Sequence, residues 1–215
     1  MNTNEKFVVT INRELGSGGR TIGRMLAEKL GVPFYDKILI KSLEEKYNLS
    51  VEEIEKMKGK NRHWWSDFKL IIPIGPTMRN NFTTSITGDE PDFLTTDDMF
   101  KTEQEILEGI AADESCVVAG RSGFHIFRNH PNHLRIFIQA SMPFRQERIA
   151  RKQGKTPEEA LKIIEKVDKM RENYVQKYTK TSRYDTRNYD LVITTDGKTE
   201  EEIVALILQF IGQKS

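Results

Sequence analysis

Apolar positions along this chain fall into two alternating rhythms. Phe7-Val8-Val9-Thr10-Ile11 is a short β-rich run and predicts a buried strand. From Thr21 to Leu30 the spacing turns helical, with Ile22, Met25, Leu26 and Leu30 on one face, and Gly31 and Pro33 supply the stop. Phe34-Tyr35-Asp36 predicts a short second strand, Lys37 to Tyr47 a helix, and Ser50 with Glu53 a capping box for another helix from Val51. Between Gly59 and about Thr96 no period holds. Asp98 to about Ala112 is again helical. Strands are predicted at Cys116–Ala119, Leu134–Ala140 and Leu191–Thr194. A basic helix fills Pro143–Gln153, and Thr156 and Pro157 open a long helix to roughly Lys177. Thr199 caps a final amphipathic helix carrying Ile203, Leu206, Ile207 and Phe210. Strands separated by helices imply a parallel sheet covered on both faces.

Composition narrows the partners. Charged residues make up 30% of the 215 residues, yet the formal net charge is only +1. That balance argues against a nucleic-acid binder, which needs a basic excess to displace counterions. No apolar run approaches the ~20 residues of a membrane span, and the first six residues lack a signal-peptide core, so the chain reads as cytoplasmic with no membrane partner. Cys116, the sole cysteine, sits in an apolar run and reads as a core residue. His125, His130 and His133 lack the spacing of a metal site. Trp64-Trp65 reads as packing within the irregular middle segment, and Asp36 and Arg62 as acceptor-side candidates.

The candidate chemistry begins after the first strand, at Gly16-Ser17-Gly18-Gly19. A glycine turn between strand and helix lets backbone approach an anion closely, and the helix start offers free N–H groups. Two motifs come near. Against the P-loop pattern G-x-x-x-x-G-K-[ST], Arg13 stands at the first glycine and Gly19 at the lysine, with Arg20 and Thr21 following. Against the dinucleotide pattern G-x-G-x-x-G, Thr21 replaces the last glycine, and Asp36 falls where an acid would meet a ribose. This turn alone leaves an NAD-binding Rossmann oxidoreductase open.

The second half of the chain favours phosphoryl transfer. Arg121 follows the Cys116–Ala119 strand, at an end that faces the ligand crevice of an open α/β sheet. Arg145, Arg148 and Arg151 repeat at helical spacing, and Asp168 and Arg171 stand three apart on the long helix. Moving a phosphoryl group calls for several cations around one small volume, whereas hydride transfer does not.

On these segments the chain resembles the cytidylate kinase-like family. The resemblance is carried by Ile11 to Gly23, Pro33-Phe34-Tyr35-Asp36, Ala119-Gly120-Arg121-Ser122, Arg135 to Ser141 with Arg145 and Arg148, and Val167 to Arg171. It implies a P-loop, nucleoside monophosphate kinase-like three-layer α/β sandwich with a five-stranded parallel sheet. It also implies one domain over 1–215, with an inserted acceptor-side region at about 37–97 and an arginine-rich lid at about 142–185. The implied reaction is ATP-dependent phosphoryl transfer to CMP, dCMP or a related small acceptor, with Mg2+. By the same resemblance Gly16, Ser17, Gly18, Gly19, Arg20 and Thr21 would cradle donor phosphates, with Thr21 toward the metal. Arg121 would contact the acceptor phosphate beside Asp36. Arg145, Arg148 and Arg171 would reach the transferring group, oriented by Asp168. The chain departs from true cytidylate kinases at Gly19, where they carry lysine and where the catalytic charge would pass to Arg20, and at Ser122, where they carry an acid. A nucleotide-binding sensor or scaffold without turnover is the alternative those departures leave.

Overall fold

Strand β1 (Val8–Arg13) lies at the centre of a five-stranded sheet, and its side chains alternate between two buried faces. The computed structural model describes residues 1–36 and 97–213, with Ser50, Glu52, Ile54 and Lys56 between them. The predicted Lys37–Tyr47 helix, Glu53, Arg62, Trp64-Trp65 and most of 37–97 lie outside the described residues. The other strands are β2 (Phe34–Asp36), β3 (Cys116–Ala119), β4 (His133–Gln139) and β5 (Leu191–Thr194). The order is β2-β3-β1-β4-β5, and every pairing is parallel. Pairing explains why β1 runs past Ile11: Arg13 is still in register with Ile138.

Six helices accompany the sheet among the described residues: α1 (Gly19–Leu30), α2 (Asp97–Asp113), α3 (Gly123–Ile126), α4 (Met142–Gln153), α5 (Pro157–Thr179) and α6 (Glu200–Gln213). On one face Val9 and Ile11 meet Ile22 and Leu26 of α1 and Ile203 and Ile207 of α6. On the other Val8 and Val118 meet Ile106, Leu107 and Ile110 of α2, together with Ile54. Each such fully buried side chain stabilises the fold by roughly 1.5–3 kcal/mol. Ile11→Ala, at 0% exposure, would leave a cavity and cost about 2–5 kcal/mol.

Helix ends follow the capping chemistry of the sequence. Thr156 and Glu159 form a reciprocal capping box at α5, with Pro157 in the first turn. Thr199 and Glu202 exchange the same pair of bonds at α6, at 3.2 and 2.8 Å. Gly31 closes α1 in the left-handed conformation. Leu15, next to the glycine turn, packs on Ile149 of α4 and Ile164 and Val167 of α5. That small core seats the α4–α5 hairpin against the turn, and thereby places the arginines of both helices. Among the described residues no helix is long and apolar enough to cross a membrane.

Candidate active site

The glycine turn joins β1 to α1 at the carboxyl edge of the sheet. Gly16 and Gly18 both have positive φ, 86° and 84°. At Gly16 a side chain is excluded twice over, because its Cβ would also stand 2.8 Å from the carbonyl oxygen of Arg145. Main chain and side chains fix the turn. Glu14 N–H donates to Ile138 O at 3.0 Å, and the Glu14 carboxylate accepts from Ala140 N–H at 3.1 Å. The buried Ser17 hydroxyl donates to Glu14 O at 2.9 Å, and Thr195 Oγ1 donates to Ser17 O at 3.1 Å. Helix α1 starts with no side-chain cap and no acid in its first turn. Its first N–H groups and the positive end of its dipole are therefore presented to a ligand.

A narrow cleft lies over this turn, lined by Gly16, Gly18, Thr21, Arg148 and Arg171 among others. Behind it Asp168 gathers the cations. It accepts the backbone N–H of Leu15 at 3.0 Å and Arg145 Nη1 at 2.6 Å. Arg171 and Arg183 each approach it at 3.6 Å. Arg145 also reaches the Leu15 carbonyl at 3.3 Å and the Glu14 carboxylate at 3.6 Å. Arg145 is buried, so it is not part of a solvated basic face, whereas Arg151, one turn from Arg148, is exposed. Arg148 pairs with Glu200 at 2.5 Å across to α6. Burial tends to raise the Glu200 carboxyl, but the hydrogen bond and charge of Arg148 prevail and hold it below its ordinary value.

Arg183 belongs to the site, though no motif marks it. It is 2% exposed, and its guanidinium donates to the Arg13 carbonyl. Burial, then the charge of Arg171, lowers its pKa, and Asp168 opposes that. Tyr189 donates to the Arg183 carbonyl at 2.7 Å and accepts from Asn12 Nδ2 at 2.7 Å, which links the segment after α5 to β1. Mainly through burial, the Tyr189 phenol is pushed up to about 12.

The acceptor-side candidates occupy the neighbouring edge. Arg121 follows β3 with φ 56° and is buried. It forms an ion pair with Glu103 of α2 at 2.8 Å, and Glu103 accepts from Tyr174 of α5 at 3.0 Å. Asp36 ends β2 in register with Ala119, and Arg20 pairs with it at 2.7 Å. Glu103, Glu14 and Glu200 are the partners that sequence reading missed. They carry no local motif, and only the tertiary fold brings them to the arginines.

Thr21 is exposed and lines the cleft, whereas the Ser17 hydroxyl is committed to Glu14. A single exposed hydroxyl suits Mg2+, which binds chiefly through phosphate and water oxygens. Among the described residues no cluster of three His, Cys, Asp or Glu side chains is placed to hold a metal. His133 instead bonds Thr10 at 2.8 Å and the Phe127 carbonyl at 2.9 Å.

These features define a P-loop kinase fold. Its central strand lies between β3 and β4, unlike the dinucleotide-binding order, in which the first two strands are neighbours. The chain belongs to the cytidylate kinase-like family, whose profile matches residues 8–197. A cytidylate kinase of Methanopyrus kandleri is 27% identical over 201 residues, covering 93% of this chain and 90% of that protein. Among solved structures, an uncharacterized protein from Eubacterium ventriosum superposes with a TM-score of 0.67 at 22% identity, covering 96% of this chain and 99% of that one. A shikimate kinase from Bacteroides thetaiotaomicron gives 0.50 at 14% identity, with 96% and 98% covered. Both structural likenesses bear on the fold.

Proposed function

We propose that this chain transfers the γ-phosphoryl group of Mg-ATP to a pyrimidine nucleoside monophosphate such as CMP or dCMP. An oxygen of the acceptor phosphate bonds to the γ-phosphorus, the bond to the β–γ bridging oxygen breaks, and a nucleoside diphosphate and ADP result. The observation that carries the reading is the uncapped start of α1 beneath a cleft lined by Arg148 and Arg171. Membership of the cytidylate kinase-like family supports the choice of acceptor class.

The backbone from Gly16 to Thr21 holds the donor phosphates. Thr21 would help hold Mg2+, which would supply charge neutralisation to the donor phosphates when bound. Arg148 and Arg171 face the transferring group, while Arg145 and Asp168 position the turn from behind. Arg121 takes the acceptor phosphate, and the Arg20–Asp36 pair sets the acceptor side of the crevice. Residues 142–185 act as the arginine-rich lid and 37–97 as the acceptor-side insertion of one domain. Catalysis is positioning and charge stabilisation without a covalent intermediate.

A ligand that binds only the native state raises the melting temperature. Thermal-shift measurement against ATP, CMP, dCMP, UMP and NAD, followed by detection of CDP and ADP, tests the assignment. Stabilisation by ATP and CMP with product formation is expected. Stabilisation by NAD alone would overturn it. Gly19 at the lysine position favours a second reading, a nucleotide sensor without turnover. ATP binding with no diphosphate formed from any acceptor would select that one.

A further inference from the structure

We propose that Arg13 supplies the phosphate-loop cation that Gly19 cannot, its side chain lying across the start of α1 where a lysine at 19 would begin. This rests on reading the cleft as an ATP site. The P-loop pattern pairs a glycine with a lysine six residues later. Here the two positions are exchanged, with Arg13 first and Gly19 second. The exchange is steric as well as chemical. A Cβ on Gly19 would stand 2.6 Å from Arg13 Cβ and 3.0 Å from its Cγ. A side chain at 19 and a long side chain at 13 therefore exclude each other, and the chain keeps one cation by moving it.

The stem direction follows from the strand. Arg13 continues the alternation of Val9 and Ile11 toward the α1 face. Its far end reaches the end of the neighbouring strand β3, where a Cβ on Gly120 would collide with Arg13 Nη1. Gly120 has φ 81° and immediately precedes Arg121. The Arg13 guanidinium thus spans from the glycine turn toward the acceptor side, and Arg13 lines the cleft with Gly16, Gly18 and Thr21. Its own carbonyl is held by Arg183, which fixes the main chain from which the side chain projects. Arg20, in the first turn of α1, pairs with Asp36 at 2.7 Å. A guanidinium presents a planar fork that can bond two phosphate oxygens at once, unlike the point charge of an ammonium.

The test is calorimetric titration of the full-length chain with Mg-ATP and with AMP, alongside turnover. Arg13→Gln keeps a stem against Gly19 and removes the charge, and Arg13→Ala removes both. Each is expected to weaken ATP about 10- to 100-fold, the worth of one charge-assisted hydrogen bond, with AMP affinity changed less than about twofold. Gly19→Lys alone meets the Arg13 stem and should lose ATP binding. The double variant R13G/G19K removes that collision and restores the P-loop arrangement, so it should bind ATP better than either single change, a coupling that a double-mutant cycle measures. Wild-type affinity in Arg13→Gln, or no recovery in a folded R13G/G19K, overturns the assignment of Arg13 and leaves the ATP site standing. Failure of the wild-type chain to bind ATP overturns both.

Discussion

The backbone N–H of Leu15 donates to Asp168 at 3.0 Å, which ties the middle of α5 to the glycine turn. The other carboxylate oxygen takes Arg145 at 2.6 Å, and Arg183 stands 3.6 Å away. Asp168→Ala would take the shared carboxylate from two buried guanidinium groups, and breaking a buried pair in this way costs about 3–5 kcal/mol. Urea unfolding should show that loss. Asp168→Asn keeps an acceptor for Leu15 N–H and should lose less. A change under about 1 kcal/mol in the alanine variant would mean that Asp168 holds nothing in place.

Arg121 carries the heaviest catalytic expectation. Arg121→Ala should cut turnover about 100- to 1000-fold, the scale of removing one donor aimed at developing charge. The same change leaves Glu103, 1% exposed, without its 2.8 Å ion pair, so instability could imitate inactivity. Adding Glu103→Gln removes the stranded charge. The double variant should regain stability but not turnover. Recovered turnover would reduce Arg121 to a structural partner of Glu103.

The sequence revealed the frame of this site more fully than its wiring. β3 and β5 match their predicted bounds because both are short apolar runs rich in β-branched residues, although only β3 is buried throughout. The long helix is found where Thr156 and Pro157 place its start, since capping is local chemistry. Arg121, Arg148, Asp168 and Arg171 were legible as candidates because each follows a strand or repeats on a helix. Arg183 was not. It sits in a polar stretch after α5, and its burial depends on Phe137 and Tyr184 packing against the guanidinium. Nor could spacing show that Arg145 would point behind the loop, toward Asp168, while Arg148 and Arg171 line the cleft. Which face of α4 turns inward is decided by Leu15 and Ile149, a contact between distant segments.

The Arg20–Asp36 pair gives a kinetic prediction. Asp36 is 5% exposed at the end of β2, in register with the residue before Gly120. In the proposed function that location is on the acceptor side. Asp36→Asn weakens the hold on Arg20 while preserving shape, and the expected result is an acceptor KM raised about tenfold, the worth of one charge-assisted contact, with the KM for ATP little changed. Steady-state titration of each substrate separates the two. An effect confined to ATP would move the pair to the donor side.

His133 gives the fold an acid-sensitive joint. The Phe127 carbonyl can only accept, so Nδ1 of the ring donates to it at 2.9 Å and the neutral Nε2 accepts from the Thr10 hydroxyl at 2.8 Å. Burial is the main reason that the folded pKa falls to about 4, with the Phe127 hydrogen bond and Asp190 opposing and Arg135 adding to the shift. The unfolded value is about 6.5. Between these two values the unfolded chain binds more protons than the folded one, so stability rises with pH across the window. The contribution is fully present above about pH 6.5 and is lost as pH falls toward about 4, in total roughly 3 kcal/mol. His133→Asn removes that titration. Urea midpoints from about pH 7.5 to about pH 4.5 should fall more steeply in the wild-type chain than in the variant. Parallel curves would mean that the ring takes up its proton without unfolding the joint between β1 and β4.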